Sequence, residues 1–266
     1  GASAFAIDNV KVSGDAKLFY GTDSQDQTGA STSDALFGYD NSYADTALRV
    51  SVTGDLTKGV SFGATGYAVS TLGLEENMVA NTWTGAHDGT AVGDNAWLGE
   101  LWVAATLGKT TAKLGRMELD TPLAFSEKWS VVPNTFEAAV LINQDLPDTT
   151  LVGAWVGKSN GLDAANGLVG PDANRDSIMR TDAQFGTFAA AGAYAAAVVN
   201  NSYKPATVQA WYYNVVDVAD AYWLQADINC QLVKGLTIGA QYADMDTKGL
   251  YATSADSSAC CGIFCG

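Results

Sequence analysis

The stretch Tyr222-Trp223-Leu224-Gln225-Ala226-Asp227-Ile228-Asn229-Cys230-Gln231-Leu232, continued by Val233-Lys234-Gly235 and Leu236-Thr237-Ile238-Gly239-Ala240-Gln241-Tyr242-Ala243, decides the fold class. Tyr222, Leu224, Ala226, Ile228, Cys230 and Leu232 alternate with Trp223, Gln225, Asp227, Asn229 and Gln231. Leu236, Ile238, Ala240 and Tyr242 alternate in the same way with Thr237, Gly239, Gln241 and Ala243. Successive side chains of a strand point to opposite faces, so this alternation builds two strands, each with one apolar and one polar face. The intervening Lys234-Gly235 reads as a hairpin turn, with Gly at the positive-φ position.

The pattern recurs along the chain. Val10, Val12, Gly14, Ala16, Leu18 and Tyr20 alternate with Lys11, Ser13, Asp15, Lys17 and Phe19. Leu48, Val50, Val52, Gly54 and Leu56 alternate with Arg49, Ser51, Thr53 and Asp55. The turn recurs too, as Leu56-Thr57-Lys58-Gly59-Val60 and, in variant form, Leu107-Gly108-Lys109-Thr110, and Gln144-Asp145-Leu146-Pro147-Asp148 is a further tight connection. Eleven strand segments are expected, at about 9–20, 45–56, 59–71, 96–107, 110–118, 135–144, 149–158, 182–197, 205–215, 220–232 and 235–246. The Ala-rich part of the eighth has helix propensity. Phe185, Phe188 and Tyr194, with glycines nearby, favour a strand there.

Short turns alternate with long polar connections near 21–44, 72–95, 119–134 and 159–181. A transmembrane β-barrel, with short turns at one rim and long loops at the other, has this pattern. Composition agrees with it. Only 16% of the 266 residues are charged, against roughly 25% in soluble domains. The longest apolar run, Phe188–Val199, is far short of the roughly 20 residues of a membrane helix. A closed barrel instead satisfies its backbone with strands of about 9–11 residues. Phe19, Tyr20, Trp97, Tyr203, Trp211, Tyr212, Tyr213, Tyr222, Trp223 and Tyr242 fall near strand ends, as an aromatic girdle does. The competing architecture is a soluble sandwich, which buries its apolar faces against a second sheet.

Ala2-Ser3-Ala4 and Ala4-Phe5-Ala6 have the form of a signal-cleavage site, so residues 1–6 are read as a signal-peptide remnant or an N-terminal tail. The net charge of −15 argues against a nucleic-acid partner, which needs clustered Lys and Arg. Cys260, Cys261 and Cys265 lack a nearby His, since His87 is the only one in the chain. They are read as a small loop disulfide or a non-native end, so residues 251–266 are expected to be a loop or non-native, and no metal is expected. His87 lies in a Gly/Asp-rich loop and is read as solvated, as are Asp55 and Glu100 on their strands near Arg49. Asp163 to Asp176 is rich in Asp and Asn but lacks the spacing of an EF-hand. No phosphate loop or dinucleotide fingerprint appears. A hydrolytic barrel needs a nucleophile with a His partner. No catalytic residue and no cofactor are therefore expected.

Gly115-Arg116-Met117-Glu118-Leu119-Asp120-Thr121-Pro122-Leu123, through Val132-Pro133-Asn134-Thr135-Phe136-Glu137-Ala138-Ala139-Val140-Leu141, resembles the central region of outer membrane porin D-like proteins. The opening Val10-Lys11-Val12-Ser13-Gly14 to Phe19-Tyr20, and the stretch Ala183 to Tyr242, resemble the related Campylobacter-type major outer membrane porins. The resemblance implies an all-β, antiparallel, eighteen-stranded porin barrel in the outer membrane of a Gram-negative bacterium. It implies passive diffusion of small hydrophilic solutes and ions, a homotrimer, and a third loop folded inward to narrow the pore. Eleven segments fall short of that barrel and their odd number puts the termini on opposite sides, so the barrel is expected to span 7–250 and to be incomplete at its C-terminus.

The inward loop maps near 119–134, and the expected pore constriction is Lys113, Arg116, Glu118, Asp120, Glu127 and Lys128. Asp15, Lys17, Arg49, Asp55, Gln225, Asp227 and Asn229 are expected to face the lumen. The acidic balance, with Glu118, Asp120 and Glu127 at the loop, leads to an expected cation preference. The alternative function is an adhesin or structural barrel without pore activity.

Overall fold

The structure is a computed structural model, and it describes residues 7–22, 36–39, 42–74, 78–79, 81–83, 88–90, 94–128, 131–160, 185–187, 191–233, 235–248 and 260–265. The described elements are all β. They are β1 (Asp8–Thr22), β2 (Ser42–Thr57), β3 (Val60–Ser70), β4 (Asn81–Trp83), β5 (Asp88–Thr90), β6 (Asn95–Leu107), β7 (Thr110–Met117), β8 (Phe136–Asn143), β9 (Thr149–Ser159), β10 (Gly186–Thr187), β11 (Ala193–Asn200), β12 (Ala206–Val215), β13 (Ala219–Asn229), β14 (Thr237–Thr247) and β15 (Cys260–Cys265).

The chain divides into two compact units. The first comprises Gly1–Val103, Gly115–Glu137 and Ser159–Gly186, and the second Ala104–Leu114, Ala138–Lys158 and Thr187–Gly266. In the first unit β1 pairs antiparallel with β2, which pairs antiparallel with β3. Tyr43 of β2 also makes a parallel bridge to Asn81 of β4, which forms a hairpin with β5. In the second unit β9, β11, β12, β13, β14 and β15 follow one another in antiparallel order.

Turn chemistry fixes these hairpins. Gly59, Gly108 and Gly235 all have positive φ, at 77°, 62° and 88°. At Gly108 and Gly235 an added Cβ meets nothing within 4 Å. The turn therefore demands glycine for its backbone conformation and not for space.

The alternation read from the sequence is the alternation of the folded strands. On β1 and β2 Val10, Val12, Leu18, Leu48 and Val50 are open, with Leu18 73% and Leu48 51% exposed. On β13 Leu224 is 51% and Ile228 43% exposed. Cross-strand partners share a face: Leu224 lies opposite Ala210 and Tyr242, and Ile228 opposite Ala206 and Ile238. A β-sandwich buries such a face under a second sheet. Here it stays open while side chains pack on the opposite face, and a contiguous open apolar face marks a membrane or partner surface.

Four expectations need correction. The span 182–197 is displaced, because the strand runs Ala193–Asn200, with only Gly186–Thr187 extended before it among the described residues. The connection near 72–95 contains the short strands β4 and β5. Within 251–266, expected as a loop or non-native end, Cys260–Cys265 is a strand paired with β14, Cys265 opposite Ile238 and Cys260 opposite Ala243. Finally, the described aromatics expected at girdle positions fall on both faces of the strands. Tyr212 and Tyr222 pack together on the apolar face, centroids 5.2 Å apart. Trp211 and Tyr213 are buried on the other face with Ala197 and Ala221, stacked at 5.9 Å. Phe19 and Trp97 pack against a separate cluster in the first unit. Aromatics favour strands on either face, so position near a strand end did not decide the side.

Candidate functional site

Arg49 anchors the site on the sheet. It lies on β2 opposite Asp15 of β1 and Tyr67 of β3. Its Nη2 is 3.6 Å from Glu100 Oε1 and 3.4 Å from Glu118 Oε1, and the guanidinium carbon is 6.0 Å from the centre of the Tyr67 ring. The Tyr67 hydroxyl donates to Glu118 Oε1 at 3.3 Å. Lys128 Nζ lies 3.8 Å from Glu118 Oε2 and 3.1 Å from Asp120 Oδ2. Asp15, Lys17, Arg49, Tyr67, Glu118 and Lys128 thus share one cavity of about 130 Å³ with Val131, Val132 and Pro133.

Local sequence explains why Lys128 returns to Glu118. Thr121-Pro122-Leu123-Ala124 is a tight turn: the Thr121 N–H donates to Ala124 O at 3.1 Å, and Pro122 occupies the second position, where its fixed φ fits. Ser126 N–H donates to Leu119 O at 2.8 Å, and Leu119 N–H to Ser126 Oγ at 3.1 Å. This small hairpin, with Asp120 bridged to Phe125, turns the chain back so that Lys128 meets both carboxylates. Further on, Val131 and Val132 are buried against Ala47, Tyr67 and Val69. The loop therefore lies over the face of β2 and β3 opposite the open apolar one.

The loop's ends are pinned by buried polar groups. Glu118 N–H donates to Glu100 Oε2 at 3.4 Å. Thr135 Oγ1 donates to Gly99 O at 2.8 Å, Thr135 N–H to Asn160 Oδ1 at 2.7 Å, and Asn160 N–H to Thr135 O at 3.2 Å. Thr135 and Asn160 are 0% and 1% exposed. Glu100, expected as a solvated carboxylate, is 8% exposed, and its Oε1 accepts from Thr65 Oγ1 at 2.9 Å. A buried carboxylate is tolerated when donors and a cation surround it.

Of the residues expected at a constriction, Glu118, Asp120 and Lys128 are brought together. Glu127 contributes its backbone N–H, which donates to Asn134 Oδ1 at 2.8 Å. Arg116 is drawn elsewhere: Nε donates to Glu137 Oε1 at 3.0 Å, Nη1 to Leu98 O at 3.1 Å, and the guanidinium stacks 4.0 Å from the Phe185 ring centre. Lys113 is half-buried on β7, in the second unit. Among the residues expected to line a lumen, Asp55 accepts from Asn9 at 2.7 Å. In the second unit Trp223 Nε1 donates to Gln225 Oε1 at 3.1 Å, Gln225 Nε2 to Asp227 Oδ2 at 2.7 Å, and Thr237 Oγ1 to Asn229 Oδ1 at 3.1 Å. Sequence reading did not single out Tyr67, Thr135 or Asn160 for this site, and nothing in periodicity or spacing marks them. His87 and the segment Asp163 to Asp176 lie outside the described residues. Cys230 is a free thiol, and no metal-ligating cluster occurs among the described residues.

No protein-family profile matches the sequence, and no curated protein matches it. Solved structures do match. Pseudomonas aeruginosa OccK8 (OprE) is 20% identical with a TM-score of 0.63, over 93% of this chain and 57% of its own. Pseudomonas aeruginosa OpdK, in its structure with vanillate, is 14% identical with a TM-score of 0.65, over 96% and 60%. A BenF-like porin from Pseudomonas fluorescens Pf-5 is 13% identical with a TM-score of 0.65, over 96% and 64%. The fold is thus that of the outer-membrane β-barrel porins. The chain spans less than two thirds of the length of each of these three structures.

Proposed function

We propose that the protein is an outer-membrane porin of a Gram-negative bacterium, passing small hydrophilic solutes and ions, with the loop near 119–134 as its constriction. One observation carries this reading. The sheet leaves its apolar face open, and the charged loop cluster sits on the opposite face of β2 and β3. In a barrel the open face meets lipid and the other lines the lumen. Asp15, Lys17, Arg49, Asp55, Gln225, Asp227 and Asn229 are then lumen-facing. The Campylobacter-type likeness of the opening and of Ala183 to Tyr242, and assembly as a homotrimer, belong to the same proposal.

The site also supports a cation preference. Arg49 and Lys128 face three carboxylates, Glu100, Glu118 and Asp120. The Asp120 side chain is 80% exposed, so its charge reaches the solution. Fixed carboxylates in a narrow channel raise the local cation concentration. Conductance in planar bilayers tests the pore. Reversal potentials in a salt gradient test the preference: the protein should select cations, and neutralising Glu118, Asp120 and Glu127 together should move the reversal potential toward zero. Anion selectivity, or no shift in the triple variant, refutes the filter assignment.

A further inference from the structure

Both ends of the loop that carries Glu118 and Lys128 rest on two adjacent residues of β6. At one end the Glu118 N–H is held by the Glu100 carboxylate, and at the other the Thr135 hydroxyl is held by the Gly99 carbonyl. The sequence position of this pair is unusual. Leu98 and Leu101 are both exposed although three residues apart, while Gly99 and Glu100 between them are buried. A regular strand alternates every residue, so its phase shifts by one at Gly99–Glu100. The shift turns Glu100 to the side of Thr65 and Arg49. Gly99 is needed at the same place: a Cβ there meets the Tyr67 ring at 2.4 Å, and that ring aims its hydroxyl at Glu118.

We propose that Glu100 is a positioning residue, and that the Gly99–Glu100 irregularity fixes where the loop and its charges sit over the sheet. The inference rests on the pore reading only for its effect on current. The anchoring itself is independent of conduction. Glu100 meets the loop through a backbone donor and meets the sheet through Thr65 and Arg49, so it couples the two directly. A carboxylate that merely balanced Arg49 has no need of the Glu118 N–H.

The test uses the folded protein in detergent micelles and in planar bilayers. Glu100→Gln removes the charge that strengthens the bond to the Glu118 N–H and that pairs with Arg49. Thr135→Val removes the hydroxyl bond to Gly99 at the other end without changing charge. Tryptic cleavage after Lys128 requires local opening of the loop, and its rate follows the population of the open form. Loss of the charge on this anchoring hydrogen bond should speed this cut about tenfold in Glu100→Gln. Thr135→Val should speed it severalfold, and cleavage after Lys109, in the β6–β7 turn, should stay unchanged in both. In bilayers the same variants should spend more time away from the main conductance level, Thr135→Val with its reversal potential unaltered. Equal cleavage after Lys128 in both variants and the parent overturns the proposal, as does acceleration at Lys109 to the same degree, which marks general destabilisation. If Glu100→Gln does not fold, Thr135→Val decides by the same criteria. Accelerated cleavage in a protein that inserts but passes no current upholds the anchoring and removes the pore reading alone.

Discussion

At the scale of single residues, face and backbone conformation set the cost of a change. Ile228 lies on the open apolar face, and Ile228→Arg should destabilise the protein by about 2–4 kcal/mol if it sits near the bilayer midplane. Gln225→Ala, one face over, should change stability far less. Gly235 has φ of 88° with open space about it, so Gly235→Ala should cost about 1 kcal/mol from backbone strain alone. Urea unfolding in lipid vesicles, followed by tryptophan fluorescence, measures all three. Equal midpoints for Ile228→Arg and Gln225→Ala refute the register. The turn glycines were legible because a positive φ leaves a direct mark in residue choice. Glu100 was not legible, because its burial depends on a phase shift that produces no pattern of its own.

At the scale of elements, alternation located strands where the two faces differ in chemistry. The segment expected at 9–20 is Asp8–Thr22, and that at 235–246 is Thr237–Thr247. The Ala-rich strand was misplaced because alanine suits either face, so pairing and not alternation sets its limits. Ala193–Asn200 is held between β9 and β12, with Tyr194 opposite Trp155 and Asn214. The loop near 119–134 was expected from the resemblance alone, and the polar groups that hold its ends were not legible, since Thr135 and Asn160 are short polar residues distant in sequence. Asn160→Ala leaves the buried Thr135 N–H without its side-chain acceptor. It should cost about 1–3 kcal/mol, against a few tenths for an exposed asparagine such as Asn201. A comparison of denaturant midpoints decides it, and matched values for the two variants contradict the buried role.

At the scale of the molecule, the open apolar face determines the solvent the protein needs. Soluble monomers rarely expose contiguous apolar patches larger than a few hundred Å². Refolded with detergent or lipid, the protein should give a β-rich circular dichroism spectrum and a compact, heat-modifiable band on electrophoresis. Diluted into buffer alone it should precipitate. A soluble monomer with native β content in plain buffer contradicts the membrane reading. The fold class was legible at this scale because two-sided alternation repeats along the chain. The last strand was not, since Cys260–Cys265 offers no alternation of polar and apolar residues and shows itself only by pairing with β14.

The period of two has a consequence for how such a gene can change. Within β13 a single inserted residue exchanges the two faces for everything beyond it in that strand, carrying Asp227 to the side of Ile228 and Ile228 to the side of Asp227. Codon gain or loss inside a strand should therefore disrupt assembly unless a bulge absorbs it, as the shift at Gly99–Glu100 does in β6, whereas the polar connections absorb it at little cost. Lineages descending from this chain should vary in length almost solely between strands. An insertion scan scored by surface display should reproduce that map, tolerant around 202–204 and intolerant at 222–228, and equal tolerance in both places would mean that face alternation does not constrain the chain.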